Sequence, residues 1–194
     1  MSEQIASDQP LATRVSPVSL EILTGLAAIV FSAVYLLSDV IELAQDGFST
    51  FQLALTYAGE AAIPLFVLGL YATQRPRIGS LGLLGALAYS YAFVFFTGTV
   101  LYALVAGTPD YDALSDELGA WMTIHGAVMV IAGLCLGLAV LRARVFPRWT
   151  GLALMAGVVL VAIAVGLPEG AQTAAAAVRD LSFVGMGAWV LRSR

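Results

Sequence analysis

The chain contains no lysine; its nine basic residues are all arginine. That absence removes a retinal Schiff base and a lysine nucleophile. One histidine, His125, does not supply a bis-histidine haem, and one cysteine, Cys135, forms neither an internal disulfide nor a dithiol relay. No HExxH pair, no Walker sequence and no glycine-flanked serine matched to His125 occurs. A zinc protease of that type and an intramembrane serine hydrolase therefore lack their machinery, and any transport is driven by a gradient or by another subunit. No catalytic set, metal site or cofactor is expected. Charge itself is scarce. Only 11% of the 194 residues are charged, against about 25% in soluble domains. The formal net charge of −4 argues against a nucleic-acid partner.

What fills the chain is apolar. Hydrophobic residues make up 60% of it, and they gather into runs of roughly 20, the length that crosses a hydrocarbon core of about 30 Å. Six spans are predicted, at about 19–43, 51–73, 78–105, 118–141, 149–167 and 171–191. The fold class is all-α: a polytopic membrane protein with an antiparallel bundle of six transmembrane helices. Residues 1–17 are polar and read as a short mobile tail, with no secretory signal pattern, and residues 18–194 as one transmembrane domain. The fifth span is uniformly apolar. The sixth is alanine-rich and carries Arg179 and Asp180, so it inserts by packing against its neighbours.

Arginine placement orients the chain. Arg14, Arg75, Arg77, Arg142, Arg144, Arg148, Arg192 and Arg194 fall in the tails or after even-numbered spans. The loops after odd-numbered spans hold Asp46, Asp110, Asp112, Asp116, Glu117 and Glu169 and no arginine. The positive-inside rule then puts both termini in the cytoplasm of a cell membrane. Small residues at close spacing, Gly79, Gly82 and Gly85 on the third span and Gly133 with Gly137 on the fourth, suit close helix–helix approach. In the long outer loop, Thr108 and Pro109 are expected to cap and begin a short surface helix. Its four acids lack the glycine and terminal glutamate of a calcium loop and read as a solvated surface.

Ionisable residues at membrane depth carry the functional signal. Glu60 sits near the middle of the second span, and Pro64 deprives its carbonyl of the usual helical donor. Gln52, Thr56 and Glu60 recur every fourth residue and form one polar stripe running from the outer surface to mid-depth. Tyr35, Ser38, Asp39, Thr97, Thr99, Tyr102, Thr123 and His125 also fall in the outer half, with Tyr89, Ser90, Tyr91 and Asp180 near the middle. The inner half is nearly all apolar. A cup open to the outside and floored near Glu60 accounts for that asymmetry; interfacial placement of the outer residues is the competing account. The candidate ligand-binding residues are Gln52, Thr56, Tyr57 and Glu60, with Asp39, Tyr91, His125, Arg179 and Asp180. Arg179 is expected to neutralise either Glu60 or Asp180, provided that the second and sixth spans approach each other. A lone histidine is more often a helix–helix contact than a catalyst, but facing Asp39 or Glu60 it would form a protonation switch.

The segments "GEAAIPLFVLGLYATQRPRIGSLGLLGALAYS" and "GLAVLRARVFPRWTGLALMAGVVLVAIA" resemble an uncharacterised family of small bacterial multi-pass membrane proteins, a domain of unknown function. Its pattern is an acidic residue in the second span, a basic-Pro-Arg-Trp turn after the fourth and a polar interruption in the last. Glu60, "FPRW" at 146–149 and "VRD" at 178–180 carry the resemblance. It implies a six-helix fold and no particular activity.

Three roles are compatible with these residues. The first is a protein that carries or senses a small amphipathic or cationic ligand in an outward-facing pocket floored by Glu60. The second is a non-catalytic accessory or assembly subunit, with a membrane-protein partner or a second copy of itself beside it in the lipid bilayer. The third is an outer-leaflet enzyme pairing His125 with Asp39 or Glu60.

Overall fold

Apolar runs become helices, and glycine, proline and aspartate end them. The computed structural model describes residues 17–193 as seven helices, with no strand among the described residues: α1 (Pro17–Gln45), α2 (Thr50–Thr73), α3 (Gly79–Ala106), α4 (Tyr111–Leu118), α5 (Ala120–Ala143), α6 (Arg148–Ala164) and α7 (Glu169–Arg192). Most of the expected N-terminal tail, together with Arg14 and Arg194, lies outside the described residues. The helix ends have local causes. The Ser49 hydroxyl accepts from the Gln52 N–H at the start of α2. Gly107 and Arg144 take left-handed conformations that close α3 and α5, and Pro147 and Pro168 stand immediately before α6 and α7.

Five of these helices, α1, α2, α3, α5 and α7, are long and apolar enough to cross a membrane. The fifth predicted span is shorter than expected. It ends at Ala164 rather than 167, because Gly166, in a left-handed conformation, and Pro168 break it. Its 17 residues span only about 25 Å. The alanine-rich last span, conversely, is a full 24-residue helix. The surface fits a bilayer. Leu65, Leu84, Val94, Val105, Ile131 and Ile163 are each more than 60% exposed, an apolar display that a water-soluble monomer does not make.

The six long helices close a ring. α1 packs between α2 and α7, α3 between α2 and α5, and α6 between α5 and α7. Successive helices reverse direction, so each lies antiparallel to both neighbours. One end of the ring carries Arg75, Arg77, Arg142, Arg144 and Arg192. The other carries the acidic loops. Gly82, Gly85, Gly133 and Gly137 sit at helix–helix contacts as expected, whereas Gly79 meets nothing and instead takes a left-handed turn at the start of α3. Filling of the ring is uneven. In the arginine half a continuous core forms around Phe66, Tyr89, Phe93, Leu154, Phe183 and Met186, with Phe66 and Phe183 edge-to-face at 5.4 Å. At the acidic end, Leu114 of α4 joins Leu53, Val100 and Ala103 in a small separate cluster. Between the two lies a void.

The short loop helix exists, but its cap is not Thr108. Asp110 occupies the N-cap, and its carboxylate accepts from the Ala113 N–H at 2.8 Å. Thr108 instead turns its hydroxyl toward Glu117 at 3.4 Å. A carboxylate two residues downstream outcompetes the hydroxyl for the free N–H groups of the first turn.

Candidate functional site

Glu60 projects from mid-α2 into the ring and is 5% exposed. One of its oxygens, Oε1, accepts from the Tyr35 hydroxyl of α1 at 2.9 Å. The other, Oε2, is buried with no hydrogen-bond partner. This contact requires α1 and α2 to lie close together, and Gly59 allows it: a Cβ there would stand 2.8 Å from the Cβ of Tyr35. Four residues beyond Glu60, Pro64 has no N–H to return to the Glu60 carbonyl.

One turn and two turns toward the acidic end lie Thr56 and Gln52. The Gln52 amide donates both to Glu42 Oε2 of α1 and to the Thr56 hydroxyl, each at 3.0 Å, and Thr56 returns its proton to the Gln52 carbonyl at 3.1 Å. Gln52 Oε1 is buried and unpartnered, like Glu60 Oε2. Two hydrogen bonds thus fix the register of α1 against α2, Tyr35 opposite Glu60 and Glu42 opposite Gln52. That register sets Asp39 level with Thr56.

Arg179 and Asp180 come from α7. The guanidinium grips its neighbour in sequence with two bonds, Nε to Oδ1 at 2.9 Å and a terminal N–H to Oδ2 at 3.3 Å. Both residues are almost fully buried. The cation also lies over the rings of Tyr35 and Phe93, 5.0 and 5.7 Å from their centroids, which spreads its charge over aromatic faces. Of the two partners open to Arg179 in the sequence, the structure selects Asp180. Gly157 of α6 makes room for this turn of α7, since a Cβ there would stand 2.5 Å from the Arg179 backbone.

These groups surround a cavity of about 540 Å³ that opens at the acidic end of the ring. Its mouth holds Asp46, Asp110, Asp112 and Glu169; its wall holds Asp39, Glu42, Gln52 and Thr56; its deepest part holds Tyr35, Glu60, Phe93 and Arg179. Seven carboxyl side chains therefore face one arginine, and that arginine is already paired with an eighth acid. Where such carboxyl groups are ionised, a low-dielectric wall focuses their negative potential inward. No cluster of three or more metal-ligating side chains occurs among the described residues.

Six of the nine candidate residues meet here: Asp39, Gln52, Thr56, Glu60 and Arg179 line the cavity, and Asp180 holds Arg179. Three do not. Tyr57 and Tyr91 point outward, 38% and 60% exposed. His125 is buried elsewhere, stacked on Phe95 at 3.7 Å between centroids, with Nδ1 bonded to the Trp121 carbonyl at 2.9 Å. It therefore faces neither Asp39 nor Glu60, and the histidine–carboxylate pair that an enzyme reading needs is not formed. Tyr57 follows Thr56 by one residue and so turns about 100° away from the stripe. Sequence reasoning missed Glu42, Phe93, Gln172 and Thr173. The first was legible, because Tyr35, Asp39 and Glu42 share one face of α1 at helical spacing.

Comparison with known proteins finds no matching family model, curated relative or solved structure, so the reading of the site rests on its own residues.

Proposed function

We propose that the protein is a six-pass membrane protein that binds a small cationic or amphipathic ligand in a pocket open to the outer side and floored by Glu60. The single observation that carries this reading is the free Oε2 of Glu60, a buried acceptor at the bottom of an acidic cavity. A buried polar atom without a partner costs free energy comparable to a lost hydrogen bond, and a donor delivered by a ligand removes that cost. Tyr35 and Phe93 add aromatic faces beside the carboxylate, suited to the apolar or cationic part of such a molecule. The arginine-rich ends of the helices face the cytoplasm in this reading, with the cavity mouth on the opposite side, and the apolar residues Val165 and Leu167 follow the end of α6 as non-helical chain.

The test is binding of benzylamine to the purified protein in detergent, by calorimetry, with Glu60→Gln as the variant. The substitution keeps the shape and removes the charge. A loss of affinity of about tenfold or more with an unchanged melting temperature supports a ligand site. A lower melting temperature with unchanged affinity supports a purely structural carboxylate, as expected of an accessory subunit.

A further inference from the structure

The acidic groups in the cavity are arranged as a ladder. Glu42, Asp39 and Glu60 all line the same void, and the register fixed by the Tyr35–Glu60 and Glu42–Gln52 bonds orders them by depth. Taking Tyr35 as the level of Glu60, Asp39 lies four residues and Glu42 seven residues toward the mouth. At 1.5 Å per residue these are steps of about 6 and then 4.5 Å. Above them Asp46, just beyond the end of α1, also lines the cavity.

We infer that the ligand class of this site is a linear polyamine, a chain of ammonium groups joined by short methylene spacers. The inference rests on the pocket reading above and names its ligand. Spacers of three and four methylenes separate successive nitrogens by about one helical rise of three or four residues, roughly 5–6 Å, which matches the carboxylate steps. A metal ion or a single ammonium uses one rung and leaves the others unpaired. A polyamine places one cation at each.

Two further observations agree. Gln52 Oε1 and Glu60 Oε2 are buried, unpartnered acceptors at the upper and lower ends of the same wall, eight residues or about 12 Å apart, so donors are wanted at two depths and not at one. The same cavity presents Phe93, Phe96, Val100 and Met129, apolar surface on which methylenes rest without desolvating a polar group. Arg179 at the floor does not oppose a cation as a bare charge would, because Asp180 holds it in a two-bond pair.

The experiment compares spermidine, putrescine and benzylamine on the full chain in detergent by calorimetry, using Asp39→Asn, Glu42→Gln and, as a surface control off the cavity, Asp116→Asn. The expected result is spermidine tighter than benzylamine by about tenfold or more, putrescine between them, and a loss of about fivefold or more in spermidine affinity for each ladder variant, following the loss of one charged contact. Benzylamine, with one ammonium, loses less affinity than spermidine in each ladder variant, and Asp116→Asn changes nothing. Glu42→Gln keeps an amide oxygen that can accept from Gln52, so it reads the ladder even if Asp39→Asn does not fold. Spermidine no tighter than benzylamine, with benzylamine still dependent on Glu60, overturns the ladder and leaves the pocket standing. An Asp116→Asn loss equal to that of the ladder variants also overturns it, as general surface screening. Absence of binding by any of the three amines overturns the ladder and the cationic pocket together.

Discussion

Tyr35 donates its hydroxyl to Glu60 across 2.9 Å, linking the middle of α1 to the middle of α2. The bond satisfies one carboxyl oxygen and leaves the other buried without a hydrogen-bond partner, so the tyrosine positions the carboxylate while one acceptor stays free. Gly59 makes the link possible by letting the two backbones approach.

Removing that hydroxyl tests the positioning role. Tyr35→Phe keeps the ring beside Arg179 and removes only the donor, leaving Glu60 with two unpartnered oxygens. Stability falls by about 1–3 kcal/mol, the cost of an unsatisfied buried group, read as a lower melting temperature. Benzylamine affinity falls as well, because the carboxylate is no longer held in one orientation.

The Arg179–Asp180 pair makes an asymmetric prediction. Breaking it from one side, with Arg179→Met or Asp180→Leu alone, leaves an uncompensated buried charge and costs about 3–5 kcal/mol. Replacing both together removes the orphan charge, and the double variant recovers most of that loss. A double-mutant cycle in melting temperature or denaturant midpoint measures the coupling.

His125 is expected to matter for packing and not for the site. His125→Phe preserves the stack on Phe95 and gives up the bond to the Trp121 carbonyl. Benzylamine affinity stays within about twofold of wild type, with a modest loss of stability of about 1 kcal/mol. A tenfold loss of affinity would reinstate the histidine as part of the site.

Periodicity made the stripe of Gln52, Thr56 and Glu60 legible, since a repeat of four on an otherwise apolar helix leaves few alternatives for where those side chains point. Helix number and approximate ends were legible for the same reason: long apolar runs and prolines act locally. The partner of Arg179 was not. Asp180 and Glu60 were equally available in sequence, and the choice depends on how α7 rotates against α1 and α6, where Gly157 admits the Arg179 backbone and Tyr35 and Phe93 receive its cation. The fate of His125 was hidden likewise. Its depth was readable from the chain, but the stack on Phe95 turns it away from the cavity, and aromatic pairing between helices leaves no periodic trace. Glu42 shows the opposite case, a residue at helical spacing from Asp39 passed over because it lies near a helix end.

Solvent access from one side to the wall above Glu60 is the most direct test of the account. In a Cys135→Ser background, Thr56→Cys places a thiol one turn above Glu60, and Thr24→Cys places one in the closed arginine half. In intact cells, a membrane-impermeant thiol reagent should label the cysteine at 56 and not that at 24, and spermidine should slow the labelling. A cysteine at 56 that stays unlabelled, or that reacts only after the cells are opened, would contradict an outward-facing cavity reaching Glu60.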